Sequence, residues 1–194
     1  MPAETRSTPD YLEMPLNRFL ELVASGESAP GGGAAAAVAV ALAAGLSSMS
    51  TILSSSHLPD AAWLIYRTDR LRQDVALLAQ DDAEAYGRVI AAQRTQDQSV
   101  QAALSEAADV PLAIAEVGTE IAEVAARLVT EDANPNLKGD AIAAVLLAEA
   151  GVRVASALVR INLSAAGLED GRLNHADELA DTAAAVRQTV AGVG

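Results

Sequence analysis

The chain has 194 residues, the length of one domain, and is 51% apolar but only 3% aromatic. Alanine, leucine and valine without aromatic bulk exclude an all-β fold and argue against intrinsic disorder. The net charge of −13 argues against nucleic acid and anionic membranes as partners, and the lack of cysteine excludes disulfides and thiol nucleophiles. The N-terminus lacks the pattern of a signal peptide, so we expect a cytoplasmic protein.

The first two predicted helices flank a run of glycines. The first is a short amphipathic helix, with an apolar face formed by Leu16, Phe19, Leu20 and Val23. A second, over residues 34–55, follows the breaker at residues 28–33 and is uncharged. Its length would suffice to cross a membrane, but its small side chains favour a helix buried on all sides, in a bundle or at a subunit interface.

Four further helical segments follow in the sequence. A long helix over residues 60–93 has an apolar stripe that contains one carboxylate, Asp82. Residues 98–130 are helical, and Pro111 should kink this segment or begin a new helix. Helices over residues 140–166 and around residues 179–190 complete an all-α, antiparallel bundle of five or six helices, which we assign to one domain spanning residues 1–194. Because these helices are so apolar and rich in alanine, we predict a homodimer.

Asp82 is the first candidate for chemistry. A carboxylate in an apolar seam costs several kcal/mol in desolvation unless it is paired, hydrogen-bonded or protonated. Two interpretations stay open. Asp82 forms a buried salt bridge with an arginine of a neighbouring helix, or it faces a cationic, amidine-like ligand.

The other polar candidates each have a simple structural explanation. Asp140 lies on the inner side of its helix, but also at the helix start, where aspartate is favoured by free N–H groups and the helix dipole. Asn162 lies on an apolar face and requires a partner there, as a structural bracket would. The glycines at 31–33 precede a helix, so they form either a flexible turn or a cradle of backbone N–H groups. Residues without a Cβ also let the chain approach a ligand and adopt positive φ at little cost. His57 and His175 are isolated, and we predict no metal site.

Five motifs in this chain, in the same order, resemble those of one family: Ser28-Ala29-Pro30-Gly31-Gly32-Gly33, Asp82-Ala83-Glu84-Ala85-Tyr86, Val110-Pro111-Leu112, Asn134-Pro135-Asn136 and Val159-Arg160-Ile161-Asn162-Leu163. It is the formiminotransferase-cyclodeaminase C-terminal domain family, which includes stand-alone methenyltetrahydrofolate cyclohydrolases. The resemblance covers residues 16–167. The chain departs from the family pattern at Gln80, Gly139 and Leu158, and it lacks a lysine-rich segment at residues 54–59.

The resemblance implies a helical dimer that binds a tetrahydrofolate derivative near the glycine loop, without a metal or redox cofactor. Such a protein either closes 5-formiminotetrahydrofolate with loss of ammonia or interconverts the 5,10-methenyl and 10-formyl compounds. By the same resemblance Asp82 and Asp140 are catalytic, and the substrate-binding residues are Ser28, Pro30, Gly31, Gly32, Gly33, Asn134, Asn136 and Asn162.

Two alternatives stay open beside a folate enzyme. The first is a divergent homologue that acts on a non-folate amidine or cyclic substrate. The second is a non-catalytic helical dimer that binds a ligand or a protein. Gln80 and the missing lysines favour these alternatives. Four retained residues argue against the non-catalytic one: Asp82, Asn134, Asn136 and Asp140.

Overall fold

The computed structural model describes residues 10–95, 99–131 and 133–192, which contain seven α-helices, one 3-10 turn and no strand. The elements in chain order are α1 (Leu16–Val23), α2 (Gly32–Leu53), α3 (Ala61–Thr95), α4 (Ser99–Glu106), α5 (Asp109–Thr130), the 3-10 turn Pro135–Leu137, α6 (Lys138–Ala166) and α7 (Gly171–Val190). The predicted all-α class is therefore confirmed, with one helix more than the five or six that we expected.

The additional helix arises near Pro111. The segment predicted as helical over residues 98–130 breaks at Ala107 and Ala108, and α5 begins at Asp109. Pro111 is the third residue of α5, where the missing N–H of proline leaves no hydrogen bond unmade. The proline thus begins a new helix.

Helix α2 has one exposed face and three neighbouring helices. It packs against α3 on one side, α6 on the other and α5 beneath, while α7 packs on α5 and α6. Helices α2 and α6 are antiparallel. A Cβ on Gly32, at the start of α2, would lie 3.9 Å from Cδ1 of Leu158 near the end of α6. At the other end, Asn134, just before α6, donates to the carbonyl oxygen of Leu53, the last residue of α2.

Glycines allow these central helices to approach closely. Val40 of α2 lies against both Gly118 of α5 and Gly151 of α6. A Cβ on Gly151 would be 2.5 Å from Cγ2 of Val40, and one on Gly118 would be 2.6 Å from Cγ2 of Val152. No real Cβ tolerates such contacts, so both positions require glycine if this tightly packed scaffold is to form.

One face of α2 is exposed in the single chain, so the bundle alone does not bury this helix on all sides, and its burial at a subunit interface stays a prediction. The buried side faces α3, α5 and α6, whereas the opposite side is apolar and continues onto the exposed side of α6. We call this surface the outer face; its large exposed side chains are Leu53 of α2 and Leu146, Val154 and Ile161 of α6, together with Leu42 and Met49 of α2, which also line a second, apolar cavity formed with α1 and α3. The apolar face of α1 is also mostly exposed, since among its four residues only Phe19 is buried.

Two segments pass a length and composition test for crossing a membrane. They are Gly32–Leu53 and Pro135–Ala166. Within the bundle 44% and 50% of their most apolar windows are buried. Core helices of a bundle have the same length and composition.

Candidate active site

A cavity of about 300 Å³ lies at the N-terminal end of α2, where the glycine loop meets α3 and α6. Six of the residues expected at the site line it: Ser28, Gly31, Gly32, Gly33, Asp82 and Asn162. Pro30 is buried directly beside it, and its two chain neighbours line the cavity. Residues that are far apart in the sequence thus converge on one concave surface.

Asp82 reaches the cavity from α3 and contacts the start of α2. Its Oδ2 accepts a hydrogen bond of 3.1 Å from the backbone N–H of Ala34, the third residue of α2. The first N–H groups of a helix lack partners within the helix and lie at the positive end of its dipole. Within the described residues Asp82 makes no salt bridge, so the predicted pairing with an arginine is wrong. Backbone dipoles hold the carboxylate, and no cation neutralises it.

The environment of Asp82 makes its carboxyl group a stronger base than an exposed aspartate. Burial raises the pKa of Asp82, and the hydrogen bond from Ala34 opposes this rise only in part. A carboxylate with a raised pKa and no cationic partner is suited both to stabilising a bound cation and to accepting a proton.

Of the three glycines in the loop, Gly33 is the one that the contact with Asp82 requires. A Cβ on Gly33 would overlap the Asp82 carboxyl group, whereas one on Gly31 would meet no atom within 4 Å. In the described residues Gly167 is the only glycine with a positive φ, so the loop does not use the conformational freedom that its glycines allow. The loop needs glycine for space rather than for its backbone angles.

Asn162 has two roles in the geometry. Its Nδ2 donates a 2.9 Å hydrogen bond to the carbonyl oxygen of Ala107, as expected of a structural bracket. Asn162 also lines the cavity, and within the described residues its Oδ1 accepts no hydrogen bond. The hydrogen bond to Ala107 therefore leaves Oδ1 of Asn162 available to accept a hydrogen bond from a ligand.

Sequence reasoning missed the apolar wall of the cavity, which is formed by Tyr86, Leu158 and Ile161. The positions of two of these side chains could have been predicted from helical spacing. Tyr86 follows Asp82 by one helical turn, and Leu158 precedes Asn162 by one turn, so each pair shares a helix face. Such a wall suits a flat ring system.

Three expected site residues lie elsewhere. Asn134 caps the 3-10 turn by accepting from the N–H of Asn136 at 3.1 Å, and its Nδ2 donates to the carbonyl oxygen of Leu53 at 3.4 Å. Asp140 lies in the first turn of α6. We call residues 134–138 the asparagine turn; it lies at the C-terminal end of α2, where Asn134 contacts Leu53. Because α2 has 22 residues and is about 33 Å long, this turn is far from the cavity at the N-terminal end. The antiparallel course of α6 thus prevents one chain from bringing all the expected residues together.

Neither histidine lines the cavity, and the two histidines have different hydrogen-bond partners. His57 is exposed beside Ser56, and Nε2 of His175 is 3.0 Å from Oε1 of Glu116. The described part of the chain contains no group of three or more metal-ligating side chains.

Comparison with known proteins relates this site to one family. The sequence model of the formiminotransferase-cyclodeaminase family matches residues 15–180, which include both the cavity and the asparagine turn. The chain belongs to this family. It is 34% identical to a methenyltetrahydrofolate cyclohydrolase from Methylorubrum extorquens, over 80% of this chain and 81% of that protein.

A solved structure of a formiminotetrahydrofolate cyclodeaminase from Thermotoga maritima has a similar fold. Its TM-score with this chain is 0.87, at 26% identity, and the match covers 95% of this chain and 97% of that one. Both comparisons extend over nearly the whole helical bundle. The formiminotransferase-cyclodeaminase fold therefore includes α6 and the asparagine turn as well as the glycine loop.

Proposed function

We propose that this chain is a methenyltetrahydrofolate cyclohydrolase, which adds water to 5,10-methenyltetrahydrofolate and yields 10-formyltetrahydrofolate. The observation that carries the proposal is Asp82, a half-buried carboxylate in the cavity with no cation beside it. Similarity to the Methylorubrum cyclohydrolase favours this reaction over the cyclodeaminase reaction of the more distant Thermotoga relative.

The chemistry of the substrate matches such a carboxylate. The methenyl bridge is an amidinium cation, in which the carbon between N5 and N10 is electrophilic. Water forms a new C–O bond to this carbon and loses a proton. The bond from the carbon to N5 then breaks as N5 takes up a proton, which leaves a formyl group on N10 and releases one proton overall. Asp82 stabilises the cation and accepts the proton of the attacking water.

The remaining walls fit the reacting end of such a substrate. Tyr86, Leu158 and Ile161 provide an apolar surface for the ring system, and Oδ1 of Asn162 accepts from a ring N–H group. The volume of about 300 Å³ lies at the low end of the range for small-molecule sites. A folate of full length would therefore extend beyond the cavity.

This reaction requires no redox or Lewis-acid cofactor, because the substrate is already an activated cation. The absence of a cofactor and the cytoplasmic location both remain predictions. For the location, the cysteine-free composition fits a reducing compartment.

We also propose that the chain forms a homodimer through the outer face. This surface is about 33 Å long and, for two neighbouring helices, about 20 Å wide. It would bury about 650 Å² per copy, or about 1,300 Å² in total, which falls within the roughly 1,200–2,000 Å² of stable interfaces. Light scattering at micromolar concentration should give the mass of a dimer, and a clean monomer mass would contradict this proposal.

A direct assay tests the activity. Purified protein is mixed with 5,10-methenyltetrahydrofolate, and the loss of its near-ultraviolet absorbance should be faster than in buffer. A parallel sample with 5-formiminotetrahydrofolate detects the cyclodeaminase reaction by appearance of the same absorbance and release of ammonia. Unchanged rates in both samples would overturn the proposed activity, and binding without turnover would identify a ligand-binding protein.

A further inference from the structure

Both buried aromatic rings in the described part of the chain belong to the segment that precedes the glycine loop. Tyr11 and Phe19 are each 6% exposed, whereas the other aromatic side chains, Trp63, Tyr66 and Tyr86, are all exposed. The two buried rings contact each other edge to face, with their centroids 5.6 Å apart. Residues 10–23, which we call the N-terminal segment, thus contribute the largest buried side chains of an alanine-rich core.

These rings share a buried cluster with alanines of α2 and α3 that lie beside Asp82. The cluster contains Ala34 and Ala37 of α2 and Ala79 and Ala83 of α3. Ala34 is the donor to the Asp82 carboxylate, and Ala83 is the chain neighbour of Asp82. Because alanine side chains are small, the aromatic rings supply the volume that fills this side of the site.

The second cavity lies beside the active-site cavity along α3. It has a volume of about 510 Å³ and is formed by the N-terminal segment, α2 and α3, with Tyr11 in its lining. Ala79 lines this cavity, whereas Ala83, one helical turn later, lines the active-site cavity. Removal of the Tyr11 ring would therefore enlarge the second cavity towards Asp82, and the space is sufficient for water.

Gln80 holds the N-terminal segment on α3. Its Oε1 accepts a hydrogen bond of 3.4 Å from the backbone N–H of Tyr11, and its Nε2 donates one of 3.3 Å to Oε1 of Glu84. An amide performs both functions, whereas a carboxylate at this position could not donate to Glu84. The hydroxyl of Tyr11 makes no hydrogen bond within the described residues, so the ring and the backbone of Tyr11 hold it in place.

We propose that the N-terminal segment is a plug that keeps water from the protein-facing side of the Asp82 carboxylate, with Tyr11 as the positioning residue and Gln80 as its anchor. This inference rests on the proposed function for the role of Asp82 as a base. Tyr11 does not line the active-site cavity, so it acts through Asp82 and not through the substrate. A carboxylate hydrated only from the cavity is a stronger base than one hydrated from both sides.

The electrostatics of the two groups agree with this arrangement. Burial and the negative charge of Asp82 both raise the pKa of Tyr11, so the phenol near the carboxylate is neutral. Burial also raises the pKa of Asp82.

Other charged groups do not account for the state of Asp82. Helix α2, helix α6 and the glycine loop bring no ionisable side chain to the active-site cavity. Arg72, the cation in the lining of the second cavity, is paired with Asp69 and lies about 15 Å along α3 from Asp82. The remaining titratable groups of the described neighbouring segments are Tyr86 in the cavity and the exposed Asp10, Glu13, Glu27, Asp81 and Glu84.

An NMR titration of Asp82 tests the plug without a folate. The aspartate carboxyl carbons are isotope-labelled, and the signal of Asp82 is the one that is missing in Asp82→Asn. In Tyr11→Ala water reaches the carboxylate through the enlarged second cavity, so the titration midpoint should fall below that of the parent. Tyr11→Phe keeps the ring and should keep the parent midpoint. Tyr66→Ala, which removes an exposed tyrosine of α3, is the control and should also keep it.

Gln80→Leu tests the anchor and leaves both aromatic rings intact. It removes the acceptor for the N–H of Tyr11, so the midpoint should fall, but by less than in Tyr11→Ala. Circular dichroism checks that each variant has the helicity of the parent. If Tyr11→Ala does not fold, Tyr11→Leu, which retains part of the apolar volume, takes its place with the same direction of change.

Three results of the titration would contradict the inference. An Asp82 midpoint in the folded Tyr11 variant equal to that of the parent would show that Tyr11 does not shield the carboxylate. A midpoint in Tyr11→Phe as low as in Tyr11→Ala would show that the hydroxyl, and not the ring, acts on Asp82. An unchanged midpoint in Gln80→Leu would overturn the role of Gln80.

Kinetics connect the plug to the reaction. In Tyr11→Ala the acidic limb of kcat/KM should lie at lower pH than in the parent, and the plateau value of kcat should fall roughly twofold to tenfold, because Asp82 is a weaker base. KM should stay within about twofold, since Tyr11 does not line the cavity. A raised KM with an unchanged acidic limb would overturn the inference. A parent protein inactive on both folates would overturn the proposed function instead, while the NMR titration would still test the plug.

Discussion

The two ends of α2 satisfy their polar groups in different ways. At the N-terminal end, the N–H of Ala34 donates to a carboxylate 48 positions away in the sequence, and no cation offsets the cost of burying it. At the C-terminal end, the asparagine turn makes a local cap between Asn134 and Asn136 and one contact with Leu53. The costly long-range arrangement lies where we propose that the chemistry takes place, whereas the local cap stabilises the turn.

The glycines at the two ends show the same difference. Gly33 permits the contact with Asp82, because any side chain there would overlap the carboxyl group. Gly139, in the first turn of α6, has no atom within 4 Å of a Cβ built on it. Space is therefore constrained at the cavity and unconstrained at the turn, and variants at the cavity end should have the larger effects.

The largest effect is expected for Asp82→Asn. Turnover should fall by roughly a hundredfold or more, because the variant can neither stabilise the cation nor accept a proton. Stability should change little, since no ion pair is broken and the amide oxygen still accepts from Ala34. Initial rates and urea unfolding measure both properties.

Asp81→Asn is the matched control for this variant, because Asp81 is the exposed neighbour of Asp82 and should keep its activity. A fully active Asp82→Asn protein would contradict the proposed role. A loss of about 3–5 kcal/mol in stability would instead indicate a buried ion pair.

Gly33→Ala should disturb both the fold and the chemistry at the cavity end. The new Cβ displaces the Asp82 carboxyl group and leaves the N–H of Ala34 without its acceptor. We expect a loss of about 1–3 kcal/mol in the free energy of unfolding, together with reduced turnover. Gly31→Ala, which meets no neighbour, should keep the parent stability. Equal stability of the two variants by urea unfolding would refute the close contact.

Gly32→Val tests the loop as a binding surface. A Cβ at this position would have only Cδ1 of Leu158 nearby, at 3.9 Å, so the helix should form and helicity should be retained. The branched side chain enters the cavity, and ligand affinity should fall at least tenfold, about 1.4 kcal/mol. If calorimetry gave unchanged affinity, the loop would be a connector only.

The smallest expected effect is a displacement between two pH profiles. Burial raises the pKa of Asp82 in the free protein, whereas a bound cation favours the carboxylate and lowers this pKa again. The acidic limb of kcat/KM, which reports the free protein, should therefore lie at higher pH than the acidic limb of kcat. Coinciding limbs would show that Asp82 does not face the cation.

Stability provides an independent readout of the same group. Because the pKa of Asp82 is higher in the folded than in the unfolded chain, the folded chain binds more protons between these two values. The contribution of Asp82 to the free energy of unfolding thus falls as the pH rises through this window. The difference in stability between Asp82→Asn and the parent should shift in favour of the variant over the same window.

Local patterns in the sequence were enough to predict much of the bundle. Apolar periodicity located the helices, the glycine run located the start of α2, and Pro111 located the start of α5. The position of Asp82 among apolar residues identified it as exceptional. These features could be predicted because helix formation and termination depend on residues a few positions apart.

Only the tertiary structure decided what these residues contact. The partner of Asp82 is a backbone N–H 48 positions away rather than an arginine, and no helical pattern encodes that choice. The antiparallel course of α6 separates Asn134 from Gly33, and the packing leaves one face of α2 exposed. Periodicity identifies which side of a helix is apolar, whereas the direction of neighbouring helices, and what covers each side, depends on contacts between distant parts of the chain.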